Sequence, residues 1–248
     1  MRRELTKTAL LSGLTLSLAL GFNLASPAGA IKNTAELPDV PAQALINTNS
    51  KDGPKALQML MDNIKSLGPY KFEGLLTTKK PDKVCVDSGN FYFMPSSQLR
   101  VEVMGKGFKA GSILVKDKTG TIKAKGGRSL LGMKMTLEPD SNMLQLPNGL
   151  NILKCDLLSL VNWLQSQVSS GQKVYCSEAP LQVASMATKV YVLEAHEPSG
   201  ALSHRVLVDP QLKVPIEWDI FRDGKFFSAV KFTNFQVVPA MDDSLFKL

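Results

Sequence analysis

The sequence predicts a mainly β fold with two covering helices. Apolar residues alternate with polar ones in short runs, as half-buried strands require. The runs stop at Gly, Pro, Asp and Asn signals, which supply the φ values that turns need. Only two stretches, 57–67 and 157–168, repeat their apolar residues at helical spacing. The chain has 248 residues, long enough for one sizeable core.

The N-terminus reads as an export signal. Arg2, Arg3 and Lys7 precede an apolar run from Ala9 to Leu20, and Ala28-Gly29-Ala30 offers a small-residue cleavage site. The run is short for a membrane span. No Cys follows it, which excludes lipid attachment at a mature N-terminal Cys. The expected product is exported and soluble, cut near Ala30. Losing Arg2, Arg3, Lys7 and Glu4 takes the formal charge from +7 to about +5. The remaining Lys residues are scattered as on a solvated surface, without the basic stripe of a nucleic-acid binder.

Residues 31–50 show no sustained period and read as a flexible leader, so 51–248 is expected to be a single domain. A first helix follows. Asp52 suits its cap and Pro54 its first turn, where the absent N–H costs nothing. Leu57, Leu60, Met61, Ile64 and Leu67 form one apolar face, and Gly68-Pro69 ends the helix. Tyr70, Phe72 and Leu76 alternate along a first strand. Val84 and Val86 suit a second. Phe91 to Met94 and Leu99 to Val103 read as two further segments broken at Pro95. A hairpin turns at 117–120, glycines at 126, 127 and 132 interrupt, and Met133, Met135 and Leu137 resume.

Asp156 suits the cap of a second helix, with Leu157, Leu160, Val161, Leu164 and Val168 as its stripe, Trp163 at its side and Gly171 as its end. Residues 180–187 are irregular. Val190 to Ala195 and His204 to Val208 pair around Pro198 and Gly200. The last stretch is a meander. Asp209-Pro210 breaks one strand, and Asp223-Gly224 is a two-residue hairpin signal.

Signals for catalysis are weak. His196 and His204 are the only histidines, on opposite arms of a hairpin where they could face each other. Glu194 and His196 share a strand face but have no nucleophile beside them. The glycines around Ser129 are spaced one residue too far apart for a nucleophile elbow. No Cys or His spacing fits a metal, and no cofactor is expected. Cys85, Cys155 and Cys176 leave an odd thiol in an oxidising compartment. Cys155 and Cys176 flank the second helix and are slightly favoured as a disulfide; the other pairs both use Cys85.

The order Asp209-Pro210, Pro215, Trp218-Asp219, Asp223-Gly224, Phe232 to Phe235 and Asp242-Asp243 to Phe246 resembles the outer-membrane lipoprotein carrier (LolA-like) family. Gly89, Phe91 to Phe93, Pro95, Leu99-Arg100-Val101 and Ile113 to Asp117 form a second match. The resemblance implies an incomplete, half-open antiparallel β-barrel whose apolar concave face holds acyl chains under a helical lid. It implies a monomeric periplasmic carrier, without enzymatic activity, for lipoproteins or other acylated or lipid ligands, served by membrane-anchored donor and acceptor proteins. A sensor module that binds a membrane-anchored protein partner is the alternative on the same fold.

The cradle residues are then Phe72, Phe91, Phe93, Leu99, Val101, Met133, Met135 and Trp218. Leu60, Met61 and Ile64 form the lid, and Arg100 is a head-group candidate. Met94 stands where such carriers place the Arg that latches the lid, so that latch is absent as such. A one-residue register error would invert the choice of inward residues.

Overall fold

The computed structural model describes residues 44–46, 53–95, 97–105 and 109–248. The export signal and the Asp52 cap lie outside them. Helix α1 is Gly53–Ser66 and is followed by β1, Tyr70–Lys79. Next come β2 Val84–Met94, β3 Gln98–Met104, β4 Ile113–Lys116, β5 Ile122–Lys125 and β6 Lys134–Leu137. Helix α2, Leu157–Ser169, precedes β7 Lys173–Cys176, β8 Tyr191–His196, β9 Leu202–Val208, β10 Pro215–Arg222 and β11 Lys225–Val237.

These strands form one antiparallel sheet in the order β6-β5-β4-β3-β2-β1-β11-β10-β9-β8-β7. It is therefore two meanders, β1–β6 and β7–β11, joined where the first strand pairs with the last. Leu76 lies opposite Val230 across that seam, 154 positions away in sequence. The sheet does not close, because β6 and β7 remain its two edges. The result is an incomplete antiparallel barrel with two helices.

Local chemistry explains most boundaries. Pro54 occupies the first turn of α1, and Leu57, Leu60, Met61 and Ile64 are its buried face. Gly53 abuts β7 so closely that a Cβ there would meet the Val174 carbonyl oxygen at 1.9 Å. The Asp156 side chain accepts the Ser159 N–H at 2.8 Å and starts α2. Asp223 and Gly224 have φ of 50° and 68°, the paired positive values of a two-residue hairpin turn. Asn234, φ 52°, sits where the β1–β11 register shifts, since a short amide side chain tolerates the left-handed bend of a bulge.

Two expectations change, and one strand is added. The segments at 84–86 and 91–94 belong to a single strand, β2. Gly89 lies within it and is needed there, because a Cβ would come within 2.9 Å of the Glu102 carbonyl oxygen across the sheet. Strand β7 has four residues, too few to show a period. Two of the three described residues of the expected flexible leader are packed down: Ile46 is buried, and the Leu45 N–H donates to Glu194 Oε1 at 3.0 Å.

Candidate functional site

Register decides which side chains share the concave face. Phe72 is opposite Phe91, and Phe91 is opposite Val101. Phe93 is opposite Leu99, and the parity carries through Leu114 and Ala124 to Met135. Trp218 is opposite Val230, itself opposite Leu76, so it shares that face too. Seven of the eight cradle residues thus lie on one side of the sheet. Met133 lies just before β6 and is 61% exposed.

Two covers lie over this face. Leu57, Leu60, Met61 and Ile64 of α1 pack with Leu157, Leu160, Val161 and Leu164 of α2 in one core with Tyr70, Phe72, Val206, Trp218 and Phe232. Leu144, from the connection between β6 and α2, covers Leu99, Val101, Leu114 and Ile122. An aromatic row runs from within the α1–α2 core out to its edge. Tyr70 lies 5.0 Å from Phe93 and 5.5 Å from Phe235, ring centre to ring centre. Phe72 stacks on Phe91 at 4.9 Å and meets Phe232 edge-on at 5.3 Å. Tyr70, Phe72 and Phe232 are buried, whereas Phe91, Phe93 and Phe235 are only half-buried. The Tyr70 hydroxyl accepts the Leu157 N–H at 3.1 Å, which ties β1 to the start of α2. A separate cleft of about 230 Å³ opens beside the Asn234 bulge; Lys71, Glu73, Asn90 and Tyr92, which line it with Asn234 and Gln236, alternate with Phe72 and Phe91 and so set it toward the opposite face.

Several expected roles do not fit this geometry. Arg100 alternates with Leu99 and Val101 and so belongs to the opposite face. Its Nε donates to Glu102 at 2.7 Å and a terminal N–H to the Leu245 carbonyl at 2.9 Å. It braces the C-terminal segment and does not face the cradle. The Cys155–Cys176 bridge is not formed; all three cysteines are thiols. Burial and the neighbouring Asp156 carboxylate push the Cys155 thiol up to about 12. Met94 ends β2, half-buried.

The histidines do not face each other. Residues 195 and 204 are opposite, so His204 shares the concave face with Ala195 while His196 takes the other. The His204 ring stands edge-on to Trp163 at 4.7 Å and accepts the Trp218 indole N–H at 3.4 Å. Burial lowers its pKa to about 4.

The convex face of the second meander holds a group of buried charges that the alternating pattern disguised as solvent-facing. Arg205 Nε donates to Glu194 Oε1 at 2.9 Å, and His196 Nε2 lies 3.6 Å from Glu194 Oε2. Glu217 and Asp219 are buried beside them, with Lys231 3.5 Å from Glu217. Burial, with the Glu217 carboxylate second, raises Asp219 to about 7. Ile46, Leu181, Val183 and Met186 cover this side, packed on Val190, Val192 and Leu207. One signal for it was present: β9 is apolar at both parities, at Val206 and Leu207, as a strand buried on both sides must be. No group of three His, Cys, Asp or Glu able to hold a metal exists among the described residues.

No family model and no curated protein matches the chain. Solved structures do. MucB aligns at TM-score 0.50 and 13% identity, over 80% of this chain and 63% of that one. Mycobacterium tuberculosis lipoprotein LppX aligns at 0.42 and 12%, over 76% and 99%. A LolA superfamily protein from Nitrosomonas europaea aligns at 0.36 and 8%, over 77% and 97%. At such identities the likeness is one of fold: the chain has a LolA-like open barrel. Among the described residues no helix is long and apolar enough to cross a membrane.

Proposed function

We propose that the protein is an exported, periplasmic carrier for acylated ligands, either lipoproteins or free lipids. It would work as a monomer between membrane-anchored donor and acceptor proteins. The observation that carries this reading is the aromatic row. Phe91, Phe93 and Phe235 pack against the α1–α2 core, Phe91 also against the Leu144 group, and all three stay half-buried. Apolar surface left in this state gains about 25 cal/mol for each Å² that a ligand removes from water. An acyl chain entering along Phe93 and Phe91 would displace part of the α1 cover, with Leu60, Met61 and Ile64 as the moving lid. No step of this cycle needs covalent chemistry, and the dispersed, buried histidines supply none.

The packing of the cradle supports a second reading: Phe72, Leu99, Val101 and Trp218 are already buried beneath their covers. Entry of an acyl chain therefore requires the covers to open. A sensor module on the same fold, one that binds a membrane-anchored protein partner, needs no such opening.

Native mass spectrometry of the protein from the envelope fraction, purified without detergent and then solvent-extracted, separates the two. A bound acyl species near one-to-one supports the carrier. A ligand-free mass, together with cross-linking to a membrane protein, supports the sensor. In Phe93→Asp the half-buried position should leave circular dichroism unchanged while ligand retention is lost; retention equal to wild type would sink the carrier reading.

A further inference from the structure

One end of the first meander carries a feature that the fold itself does not explain. Leu131 is 94% exposed, and its φ is 52°, a left-handed conformation that favours Gly or Asn over a branched apolar residue. The loop that presents it is well fixed. The Gly126 N–H donates to the Met133 carbonyl at 2.8 Å, and the Leu131 N–H to the Arg128 carbonyl at 3.1 Å. The Gly127 N–H donates to Ser112 Oγ at 3.0 Å. Gly127 packs so tightly on the neighbouring loop that a Cβ would meet the Ala110 carbonyl oxygen at 1.9 Å. Met133 beside it is 61% exposed, and Met104, at the same end of the sheet, is 50% exposed.

Cations surround these residues. Lys125, Arg128 and Lys134 are exposed, and none forms an ion pair among the described residues. Lys125 and Lys134 lie directly opposite each other across β5 and β6. Like charges so placed repel, and the arrangement becomes favourable only when an anion approaches both. Asp117, Glu138 and Asp140 lie toward the other end of the hairpin; of the acids at this end, Glu102 is tied to Arg100, and Asp87 lies further on, in β2, where Lys109 and Lys80 offset its charge.

We propose that this end of the sheet is a docking surface for an anionic lipid bilayer. Leu131 and Met133 enter the interface while Lys125, Arg128 and Lys134 meet lipid phosphates. Apolar tips ringed by basic residues bind membranes through both contributions, buried apolar area and attraction to anionic headgroups. Charge complementarity selects the bilayer over a second copy of this chain, which would bring the same cations face to face. The proposal rests on the carrier reading for its purpose, since a carrier of acyl chains must meet membranes, but docking itself needs no ligand.

The test is flotation of the protein recovered from the envelope fraction with phosphatidylcholine vesicles, with and without phosphatidylglycerol. Binding should require phosphatidylglycerol and weaken with salt. Each cation removed should cost about fivefold, and Leu131→Asp about tenfold or more. At this exposed position Asp also suits the left-handed backbone, so the variant should fold. The double variant Lys125→Gln, Lys134→Gln relieves the cross-strand repulsion, so its Tm should hold or rise while vesicle binding falls.

Binding indifferent to phosphatidylglycerol, or Leu131→Asp floating like wild type, overturns the proposal. So does a concentration-dependent dimer that Leu131→Asp abolishes, without vesicle binding; the surface would then belong to a second copy. Failure of the carrier reading looks different: vesicle binding persists, and no acyl species is extracted from the protein.

Discussion

The two meanders use the same antiparallel pairing but are covered differently. In β7–β10 both faces are buried. Helices α1 and α2 lie on the concave side, and Leu45, Ile46 and residues 181–186 on the convex side. In β2–β6 the concave side is covered by Leu144 and its neighbours, while Val86, Lys123, Lys125 and Lys134 stand exposed on the other. A polar residue at an outward position therefore means different things in the two halves. Along β5 and β6 of the first it is solvated, while on β3 Gln98 is buried and Arg100 is held by Leu245. In the second it is taken out of water and must be paired. The second meander has the construction of a stable platform. The first has the thinner cover and the half-buried aromatics of a surface that exchanges contacts.

The largest expected effect tests this contrast directly. Arg205→Ala leaves Glu194 buried beneath Leu45 without its guanidinium partner, and such uncompensated charges cost about 3–5 kcal/mol. Arg100→Ala removes a comparable Arg–Glu pair from the first meander. There Glu102 is 29% exposed and water replaces the lost partner, so the pair itself should contribute only about 0–1 kcal/mol. Urea unfolding of the two variants measures the difference. Equal losses would mean that the convex face of β7–β10 is wetter than its burial indicates.

The two faces of the second meander can be set against each other by pH. On the convex side Asp219 is raised to about 7. The folded protein then holds a proton that the unfolded chain has released above its ordinary value of 3.8. This contribution is full below about pH 4 and is lost as pH rises to about 7. Burial raises Glu217 in the same sense, and the Glu194 carboxylate raises His196. On the concave side burial lowers His204 to about 4 from 6.5. Its contribution is full above pH 6.5 and is lost as pH falls to about 4. The two slopes oppose each other between pH 4 and 6.5, each up to about 1.4 kcal/mol per pH unit. Asp219→Asn should therefore lose stability as pH falls through that window, and His204→Phe should gain it. Parallel curves for the two variants would break the assignment of opposite roles to the two faces.

Much of this contrast was hidden in the sequence. The helices, the hairpin turns and the caps are local: Pro54, Asp156 and Asp223-Gly224 each act within a few residues, so their chemistry shows in the chain. The concave parity was also recoverable, because Phe72, Phe91, Phe93, Leu99 and Val101 alternate within well-marked strands. What covers a face is not local. The Leu45–Glu194 contact joins residues 149 apart, and no period within β8 shows that its outward Glu is buried. Arg100 was misplaced for a different reason. Alternation with the inward Leu99 and Val101 already turns it to the opposite face, so its charge and not its parity suggested the head-group role. Met133 fell one residue outside a strand that begins at Lys134, where alternation no longer applies.

The smallest expected effect asks whether the two halves unfold together. Gly120 turns the β4–β5 hairpin at φ 85°, and Gly224 turns β10–β11 at φ 68°. A Cβ at either position would meet nothing within 4 Å. Alanine therefore adds backbone strain and no clash, costing about 1 kcal/mol at each site. In a chain that unfolds as one unit, both substitutions lower global stability by that amount. In a chain whose thinly covered meander opens first, Gly224→Ala lowers global stability, while Gly120→Ala only speeds amide exchange in β4 and β5. Urea midpoints and hydrogen exchange on the pair decide between these cases. A separately opening first meander would give the exposed end around Leu131 its own freedom to move, above a platform that stays folded.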